Sequence, residues 1–282
     1  MQIYKEKQAL GELIKTFKNE GFSIGFVPTM GALHEGHISL VKQALASSDK
    51  VITSIFVNPT QFDNAGDLEK YPRTFEKDIN QLQGLDQNII IFSPDPSDIY
   101  GNDVSPEHFS FDGLEYEMEG KFRKGHFDGV GTIVKKLFEI VQPDKAFFGE
   151  KDFQQLQIIR KLTEKHNWDI EIIGCPIDRE SNGLARSSRN ERLTPENRQK
   201  AAFIYEVLQQ VKKEFGTKSV LEVSEKVKNK FGKNPDLKLE YFEIANEATL
   251  KSATNPINGE KYRAFIAAYS GDVRLIDNIA LN

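Results

Sequence analysis

Residues 22–57 read FSIGFVPTMGALHEGHISLVKQALASSDKVITSIFV, and this stretch decides the fold. Its first apolar run, Phe22–Val27, predicts a short strand that ends in the loop beginning at Pro28. Residues 38–45 then place apolar side chains at helical spacing, and the β-branched run Val51–Val57 predicts a second buried strand. A strand, a helix and a strand in this order predict a βαβ unit, in which the strands are parallel and the crossover is right-handed.

The same alternation continues to residue 176. Further helices are predicted at 74–85, 130–141 and 152–166, and further strands at 88–92, 145–148 and 169–175. Strands that alternate with helices over such a length predict the α/β class, with a Rossmann-like, doubly wound parallel sheet covered on both faces. We therefore expect a first domain at residues 1–176.

The pattern changes after residue 176. Residues 178–190 are polar and contain Gly183, which indicates a loop, and Thr194 and Pro195 suit the N-cap and first position of a helix. A second helix is predicted at 220–231, and strands at 237–244, 264–268 and 273–276. Because no helix is long enough to join those strands as parallel neighbours, we expect antiparallel pairing in a smaller C-terminal α+β domain at 177–282.

Composition narrows the class of protein. The 282 residues include 37 Lys and Arg against 42 Asp and Glu, a net charge of −5, which gives no support for a surface that coats nucleic acid. No apolar run approaches the ~20 residues of a membrane-spanning helix, and the N-terminus lacks the apolar core of a secretory signal. The single cysteine, Cys175, excludes an intrachain disulfide and is expected to be a small buried residue. These features predict a cytoplasmic protein without a membrane or nucleic-acid partner.

The segment PTMGALHEGH, residues 28–37, connects the first strand to the first helix. Ligands of open α/β sheets bind at the carboxyl ends of the strands, and the N–H groups of a helix N-terminus suit phosphate. His34 and His37 are three residues apart and can donate hydrogen bonds to phosphoryl oxygens from one face. A histidine pair alone is as typical of a surface, but Gly31 and Gly36 beside it favour a phosphate site. Zinc is disfavoured because no third ligand stands at a diagnostic spacing.

The segment FVNPTQF, residues 56–62, follows the second strand. Asn58 stands before a proline, so it suits either a plain turn or a substrate contact. Gln61 lacks that local explanation, and its amide can bind a hydroxyl or a carboxylate.

The segment FGEKDFQQL, residues 148–156, lies at a further junction between strand and helix. Lys151 suits phosphate, and Asp152 suits either a helix N-cap or a ribose hydroxyl. Gln155 lies three residues further on and is expected to face the same site.

Two polar loops complete the candidate segments. GLARSSRN, residues 183–190, suits a solvated turn or a mobile loop that neutralises a triphosphate. GKFRKGHFDGV, residues 120–130, suits a plain loop or a contact between Arg123 and a substrate carboxylate.

The His-x-Gly-His pattern resembles the signature of the nucleotidyltransferase superfamily, which includes class I aminoacyl-tRNA synthetases. Together with YPRT at 71–74 and GHFDGV at 125–130, the segments quoted above resemble the pantoate–β-alanine ligase family over essentially the whole chain. The resemblance implies a ligase that condenses pantoate with β-alanine at the expense of ATP, through a pantoyl-adenylate, and releases pantothenate, AMP and pyrophosphate.

The resemblance also implies roles for single residues. His37, as proton donor, His34 and Lys151 are implied to be catalytic. The implied ATP-binding residues are Met30, Gly31, Ala32, Leu33, His34, Glu35, Gly36, His37, Gly149, Glu150, Lys151, Asp152, Asp178, Arg186, Ser187, Ser188 and Arg189. The implied pantoate and β-alanine residues are Gln61, Gln155, Asn58 and Arg123. Mg²⁺ with the ATP, a homodimer and a C-terminal domain that acts as a lid are implied as well, without an organic cofactor or a resident metal. Asp78 is the one protein ligand for Mg²⁺ that we consider.

Three positions depart from the family pattern: Asp178 replaces an apolar residue, Asn182 an aspartate and Lys124 a proline. The main alternative is another small-molecule nucleotidyltransferase of the same superfamily, such as a cytidylyltransferase, which needs no amine acceptor. A class I synthetase is disfavoured because no tRNA-binding domain is visible. A binding protein without catalytic activity would have to contain all the motifs quoted above without using them for catalysis.

Overall fold

The computed structural model describes residues 1–62 and 65–282, which divide into two compact units. Within those residues the strands are β1 (Gln2–Tyr4), β2 (Ile24–Thr29), β3 (Lys50–Ile55), β4 (Ile90–Phe92), β5 (Lys145–Gly149), β6 (Glu171–Cys175), β7 (Lys238–Asn246), β8 (Tyr262–Ser270) and β9 (Val273–Ala280). The helices are α1 (Lys7–Asn19), α2 (Glu35–Leu45), α3 (Ala65–Lys70), α4 (Phe75–Leu85), α5 (Pro96–Tyr100), α6 (Glu119–Phe122), α7 (His126–Val141), α8 (Phe153–Lys165), α9 (Pro195–Lys200), α10 (Phe203–Glu214) and α11 (Val220–Gly232).

The first unit comprises residues 1–115, 120–150 and 155–176 and is built on a parallel sheet. The strand order is β1-β4-β3-β2-β5-β6. From β2, the chain adds β3 and β4 toward one edge of the sheet and then returns to add β5 and β6 toward the other edge. Such a reversal is the switch point at which open α/β sheets bind their ligands. The predicted doubly wound, Rossmann-like parallel sheet is confirmed.

Two elements at the start of the chain were missed by the sequence analysis. β1 has three residues at the sheet edge and α1 buries only Leu10 and Ile14, so neither carries a long apolar pattern. The end of β2 also differs from the prediction, because the strand continues through Pro28 and Thr29 instead of ending at Val27. Those two residues pair with β3, and the Thr29 hydroxyl donates to the Ser54 carbonyl over 2.7 Å.

Residues 116–119, 151–154 and 177–282 form the second unit. Its sheet is antiparallel in the order β7-β8-β9, as predicted, and α10 and α11 pack on it around a core that includes Leu208, Val227 and Ile266. The predicted N-cap at Thr194 is confirmed, since its hydroxyl accepts the N–H of Asn197 over 3.2 Å. That helix is interrupted by a turn at residues 201–202, which separates α9 from α10.

The short segments 116–119 and 151–154 group with the second unit, which a single boundary after residue 176 does not anticipate. Among the described residues, no helix combines the length and the apolar character that a membrane crossing demands.

Candidate active site

The candidate residues of the first unit follow the ends of three adjacent strands, β3, β2 and β5. Because these strands are parallel, the segments after Ile55, Thr29 and Gly149 lie at one edge of the sheet. The residues placed there are Met30, Gly31, Ala32, Leu33, His34, Glu35, Gly36, His37, Asn58, Gln61, Glu150 and Gln155. The edge that was predicted from the sequence is thus the edge that carries them.

The loop between β2 and α2 has an unusual backbone. Gly31 and Ala32 have φ angles of +76° and +49°, in the left-handed region. A Cβ atom at position 31 would lie 3.1 Å from an oxygen of Asp78 and 3.1 Å from a methyl carbon of Ile55. Glycine is therefore required at position 31 by both conformation and space.

Asp78 of α4 holds this loop. One of its carboxylate oxygens accepts the N–H of Ala32 over 2.9 Å, and the other accepts the N–H of Leu33 over 2.8 Å and the hydroxyl of Thr74 over 3.0 Å. The Asp78 side chain is only 1% exposed. Asp78 therefore anchors the loop, and this role replaces the magnesium ligand considered from the sequence.

His34 and His37 lie together at the start of α2. His34 is the N-cap residue, and its ring centroid lies 4.0 Å from that of His37, as the expected shared face requires. The main-chain N–H of His34 donates to Nδ1 of His37 over 3.3 Å. Since Nδ1 accepts, the neutral ring of His37 carries its proton on Nε2 and can donate it to a ligand. The helix N-terminus adds a partial positive charge.

Asn58 lies at the centre of a buried hydrogen-bond network and is 1% exposed. Its Oδ1 accepts the hydroxyls of Tyr100, over 2.5 Å, and of Thr60, over 3.1 Å. Its Nδ2 donates to the carbonyl of Gly129 over 3.2 Å and to Oε1 of Gln61 over 3.1 Å. Both ends of the amide are thus engaged within the protein, which suits Asn58 to a positioning role, and its contact with substrate stays a prediction.

The network fixes how Gln61 presents its amide. A carbonyl only accepts hydrogen bonds, so Gly129 turns the NH₂ group of Asn58 toward itself and toward Gln61. The side-chain oxygen of Gln61 accepts the hydrogen bond from Asn58, so its own NH₂ group is oriented to donate to a ligand. The first unit therefore offers a donor to a substrate oxygen at this position.

Tyr100 and Gly129 were not identified from the sequence. Burial raises the pKa of Tyr100 above its ordinary value of 10, so its hydroxyl keeps its proton and donates to Asn58. A Cβ at position 129 would lie 2.1 Å from the carbonyl oxygen of Thr60, so only glycine lets α7 pack this closely on the 59–61 turn.

Arg123 and His126 hold the main chain of Gln61. Nδ1 of His126 lies 2.8 Å from the Gln61 carbonyl oxygen, which only accepts, so Nδ1 carries the proton. Nε2 of His126 then accepts from the Arg123 guanidinium over 3.1 Å. Arg123 thus lies beside Gln61, where it was expected, and it supports the backbone there through His126, which sequence reasoning did not single out.

Cys175 ends β6 and is fully buried, as expected. Burial, with a smaller contribution from the charge of Glu150, raises the pKa of its thiol to about 11. The thiol therefore stays protonated near pH 7 and is not a nucleophile.

In the second unit, Lys151 and Asp152 form a 3₁₀ turn directly before α8. The Lys151 ammonium lies 3.7 Å from the Asp152 carboxylate, and the Asp152 side chain is half-exposed. This placement leaves both groups suited to a polar ligand.

The loop of residues 178–190, also in the second unit, is folded on itself. Arg186 donates its main-chain N–H to the Asp178 carbonyl and its Nε to the Asp178 carboxylate, each over 3.0 Å. Ser187 accepts the N–H of Arg189 over 3.3 Å, and Ser188 is buried. The departure at Asp178 thus adds an ion pair to the predicted phosphate loop.

The other two departures have modest consequences. The side-chain oxygen of Asn182 accepts the N–H of Leu184 over 3.1 Å, so it shapes the same turn. Lys124 directly precedes Gly125, whose left-handed backbone leads into α7. Among the side chains that the structure describes, no three of His, Cys, Asp or Glu are grouped to hold a metal ion.

Comparison with known proteins supplies the family. The model of the family described as pantoate–β-alanine ligase matches residues 2–280. Pantothenate synthetases from Christiangramia forsetii and Flavobacterium psychrophilum are 61% and 53% identical to this chain, and each alignment covers 100% of both chains.

Solved structures indicate the same family. A pantothenate synthetase from Thermus thermophilus superposes with a TM-score of 0.92 at 35% identity, covering 100% of this chain and 99% of the other. A pantoate–β-alanine ligase from Francisella tularensis, complexed with β-γ ATP and β-alanine, gives 0.82 at 37% identity, covering 100% and 98%. Sequence motifs, fold and relatives agree that this chain belongs to the pantoate–β-alanine ligase family.

Proposed function

We propose that this chain condenses pantoate with β-alanine at the expense of ATP and releases pantothenate, AMP and pyrophosphate. The observation that carries the proposal is the edge of the first unit's sheet, where a histidine pair at a helix N-terminus and an oriented glutamine amide follow neighbouring strands. The 61% identity to a pantothenate synthetase over the full length supports the same reaction.

The first step activates the carboxylate. A pantoate carboxylate oxygen attacks the α-phosphorus of ATP, the bond from that phosphorus to the bridging oxygen breaks, and pyrophosphate leaves. His37 stabilises the charge on the phosphoryl oxygens by donating from Nε2, because its Nδ1 accepts from His34. His34 and the N–H groups at the start of α2 act on the same phosphates.

The second step forms the amide bond. The unprotonated amine of β-alanine attacks the carbonyl carbon of pantoyl-adenylate, the bond to the phosphate oxygen breaks, and AMP leaves while the amine loses a proton. Adenylation is needed because oxide is a poor leaving group, whereas AMP is a good one. Gln61 donates its NH₂ group to pantoate and lies near the incoming β-alanine, and Gln155 binds pantoate from α8. Asn58 and Arg123 act through Gln61.

The ATP-binding role extends to residues 149–152, with Lys151 on the phosphates and Asp152 on the ribose. Arg186, Ser187, Ser188 and Arg189 bind the triphosphate, and the main chain of Asp178 meets adenine. The positive charges of these segments support this assignment. Mg²⁺ enters as part of the nucleotide substrate and offsets its charge.

The remaining proposals concern the setting of the enzyme. We place it in the cytoplasm, as a homodimer whose C-terminal domain acts as a lid, without a nucleic-acid or membrane partner. A net charge of −5 and a single buried cysteine support this setting, and two-fold dimers are the commonest oligomers.

The test measures AMP formation from Mg-ATP and pantoate, with and without β-alanine. We expect AMP in step with pantothenate only when all three substrates are present. His37→Ala should lower the rate by about 10²–10³-fold, as removal of one preorganised donor does. His108→Ala is the matched control, since that ring is exposed and contacts Asp128 on the surface, and its rate should not change.

The contrary result is equally clear. Nucleotide turnover with another acceptor, and no AMP with pantoate and β-alanine, would return the chain to a different nucleotidyltransferase activity. Gln61 and Gln155 would then need another substrate.

A further inference from the structure

Strand β9 carries two neighbouring polar residues that are both buried. Asp277 is 4% exposed and Asn278 is 1% exposed. Neighbours on a strand point to opposite faces of the sheet, so the pair can meet two different segments of the second unit. Asn278 contacts Lys151, and Asp277 contacts Arg179 in the loop of residues 178–190. Both segments carry residues that the proposed function places on ATP.

Asn278 holds the main chain of Lys151. Its Nδ2 donates to the Lys151 carbonyl over 2.8 Å, while its Oδ1 accepts from Arg263 over 2.6 Å. Phe265 pairs with Asn278 across β8 and β9, and its ring centroid lies 6.0 Å from that of Phe153. The Arg263 guanidinium lies 4.0 Å above the same Phe153 ring. One face of the sheet thus fixes both the backbone of Lys151 and the first residue of α8.

Asp277 holds Arg179, near the start of the loop of residues 178–190. Its two oxygens accept the two NH groups of Arg179 over 2.6 and 2.9 Å, in a bidentate pair. Arg179 also donates to the Gly183 carbonyl over 3.1 Å, across the turn that leads to residues 186–189. The Asp277 carboxylate additionally accepts the N–H of Asn278 over 2.7 Å. This hydrogen bond links the contact with Lys151 to the contact with Arg179.

We propose that Asp277 and Asn278 form one positioning element, which keeps Lys151 and the 186–189 segment at a fixed spacing before ATP binds. A bidentate arginine–carboxylate pair is directional, and a buried hydrogen-bond network whose members are satisfied is rigid. The inference rests on the proposed function, in which Lys151 and residues 186–189 bind the same triphosphate and therefore need a fixed spacing. Neither residue contacts substrate in this scheme; both act through Lys151 and the loop.

The test is Asn278→Ala, which removes the donor to the Lys151 carbonyl and the acceptor for Arg263. We expect the Kd for ATP and the KM for ATP to rise at least about tenfold, the effect of losing about 1.4 kcal/mol of binding. The KM for pantoate should not change, because Gln61 and Gln155 belong to the first unit. Asn278→Ser, which keeps a small polar group, should give a smaller rise in the same constants and guards against loss of folding.

Asn246→Ala is the matched control. Asn246 is also a structural amide of the second unit, which donates to Glu260 and accepts the N–H groups of Ala248 and Thr249. Its removal should lower the melting temperature comparably and leave the constants for ATP unchanged. A double variant with Lys151→Ala adds a readout that a general loss of stability would not move: Asn278→Ala should then cost almost nothing further in ATP affinity.

The outcomes separate the two hypotheses. Turnover of pantoate and β-alanine by the wild type decides the proposed function, and the ATP affinities of the variants decide the positioning element. Equal ATP affinity in Asn278→Ala and Asn246→Ala would overturn the positioning role, and so would a full additional loss in the Lys151→Ala background. If the wild type binds ATP without ligating these substrates, the same affinity ratios still support or overturn it.

Discussion

The two loops that carry the candidate phosphate-binding residues are held by different forces. Ala32 and Leu33 of the first unit are fixed through their own N–H groups, which donate to the buried carboxylate of Asp78. The loop of residues 178–190 in the second unit has main-chain hydrogen bonds of its own and is held in addition by ion pairs of its side chains, that of Asp178 with Arg186 and that of Asp277 with Arg179.

Under the proposed function, this difference predicts how each loop binds a nucleotide. In the first unit, the loop before the histidine pair is held by the Asp78 carboxylate, which is not a phosphate-binding group, so this support need not be exchanged when a nucleotide binds. Arg186 of the second unit already has an anionic partner, so a phosphate has to replace Asp178. The first loop is therefore preorganised, whereas the second binds by exchange.

Among the variants that test this contrast, the largest effect should come from Asp78→Asn. The amide keeps one acceptor but turns an NH₂ group toward an N–H of Ala32 or Leu33, which loses a charge-assisted hydrogen bond worth about 1.5–3 kcal/mol. We expect kcat/KM for ATP to fall about 10- to 100-fold, measured by steady-state AMP release. Asp86→Asn at the other end of α4, where the carboxylate accepts one N–H at the surface, should leave it unchanged.

The expected fall in kcat/KM for Asp78→Asn follows from a preorganised loop. Equal kinetics in Asp78→Asn and wild type would show that the loop keeps its backbone without the carboxylate, and the contrast between the two loops would be lost.

An intermediate effect is expected for Asn58→Asp. The new carboxylate offers an acceptor where Nδ2 faced Gln61, so Gln61 must turn its NH₂ group inward and present its oxygen to the substrate. The Kd for pantoate should rise about tenfold, the effect of losing one hydrogen bond of about 1–1.5 kcal/mol, while the Kd for ATP stays constant. Isothermal titration with ATP and pantoate separately makes the measurement.

Tyr100→Phe is the matched control for that variant. It removes one donor to Oδ1 of Asn58 but leaves Nδ2 facing Gln61, so it should cost less pantoate affinity. A larger loss in Tyr100→Phe than in Asn58→Asp would contradict the orientation of Gln61 as the cause.

The smallest effect, and the only gain, is expected for Asp178→Asn. Both side chains of the pair are partly exposed, and such pairs are worth about 0.2–1 kcal/mol. Freeing Arg186 from a charged competitor should lower the KM for ATP by up to about fivefold, most clearly at low salt. Asp272→Asn, which removes the surface partner of Arg192, should not change it. A raised KM in Asp178→Asn would mean that the pair holds the loop in its binding form.

The parallel sheet was predictable because each strand of its centre is a short, mainly apolar or β-branched run followed by a helical repeat. β1 was not, since three residues at an edge leave no periodic pattern. The α9–α10 turn was also missed, because the helical repeat continues through Ala201 and Ala202.

The candidate site shows the same division. His34, His37 and Gln61 were found because they stand at strand ends within short motifs. The groups that hold Asn58 and Lys151 are distant in sequence: Tyr100 lies 42 residues from Asn58, and Asn278 lies 127 residues from Lys151. A single sequence shows which groups follow a strand, but the partner that fixes the orientation of an amide is chosen by tertiary packing.

The lone thiol at the end of β6 has a practical consequence. Burial raises the pKa of the Cys175 thiol to about 11, so the thiol stays protonated near pH 7, and its side chain is buried. The wild-type chain is therefore already suited to maleimide chemistry without removal of a native cysteine. A fluorophore attached through Ser181→Cys, an exposed position in the 178–190 loop, would report nucleotide-dependent movement of that loop with no background from elsewhere in the chain.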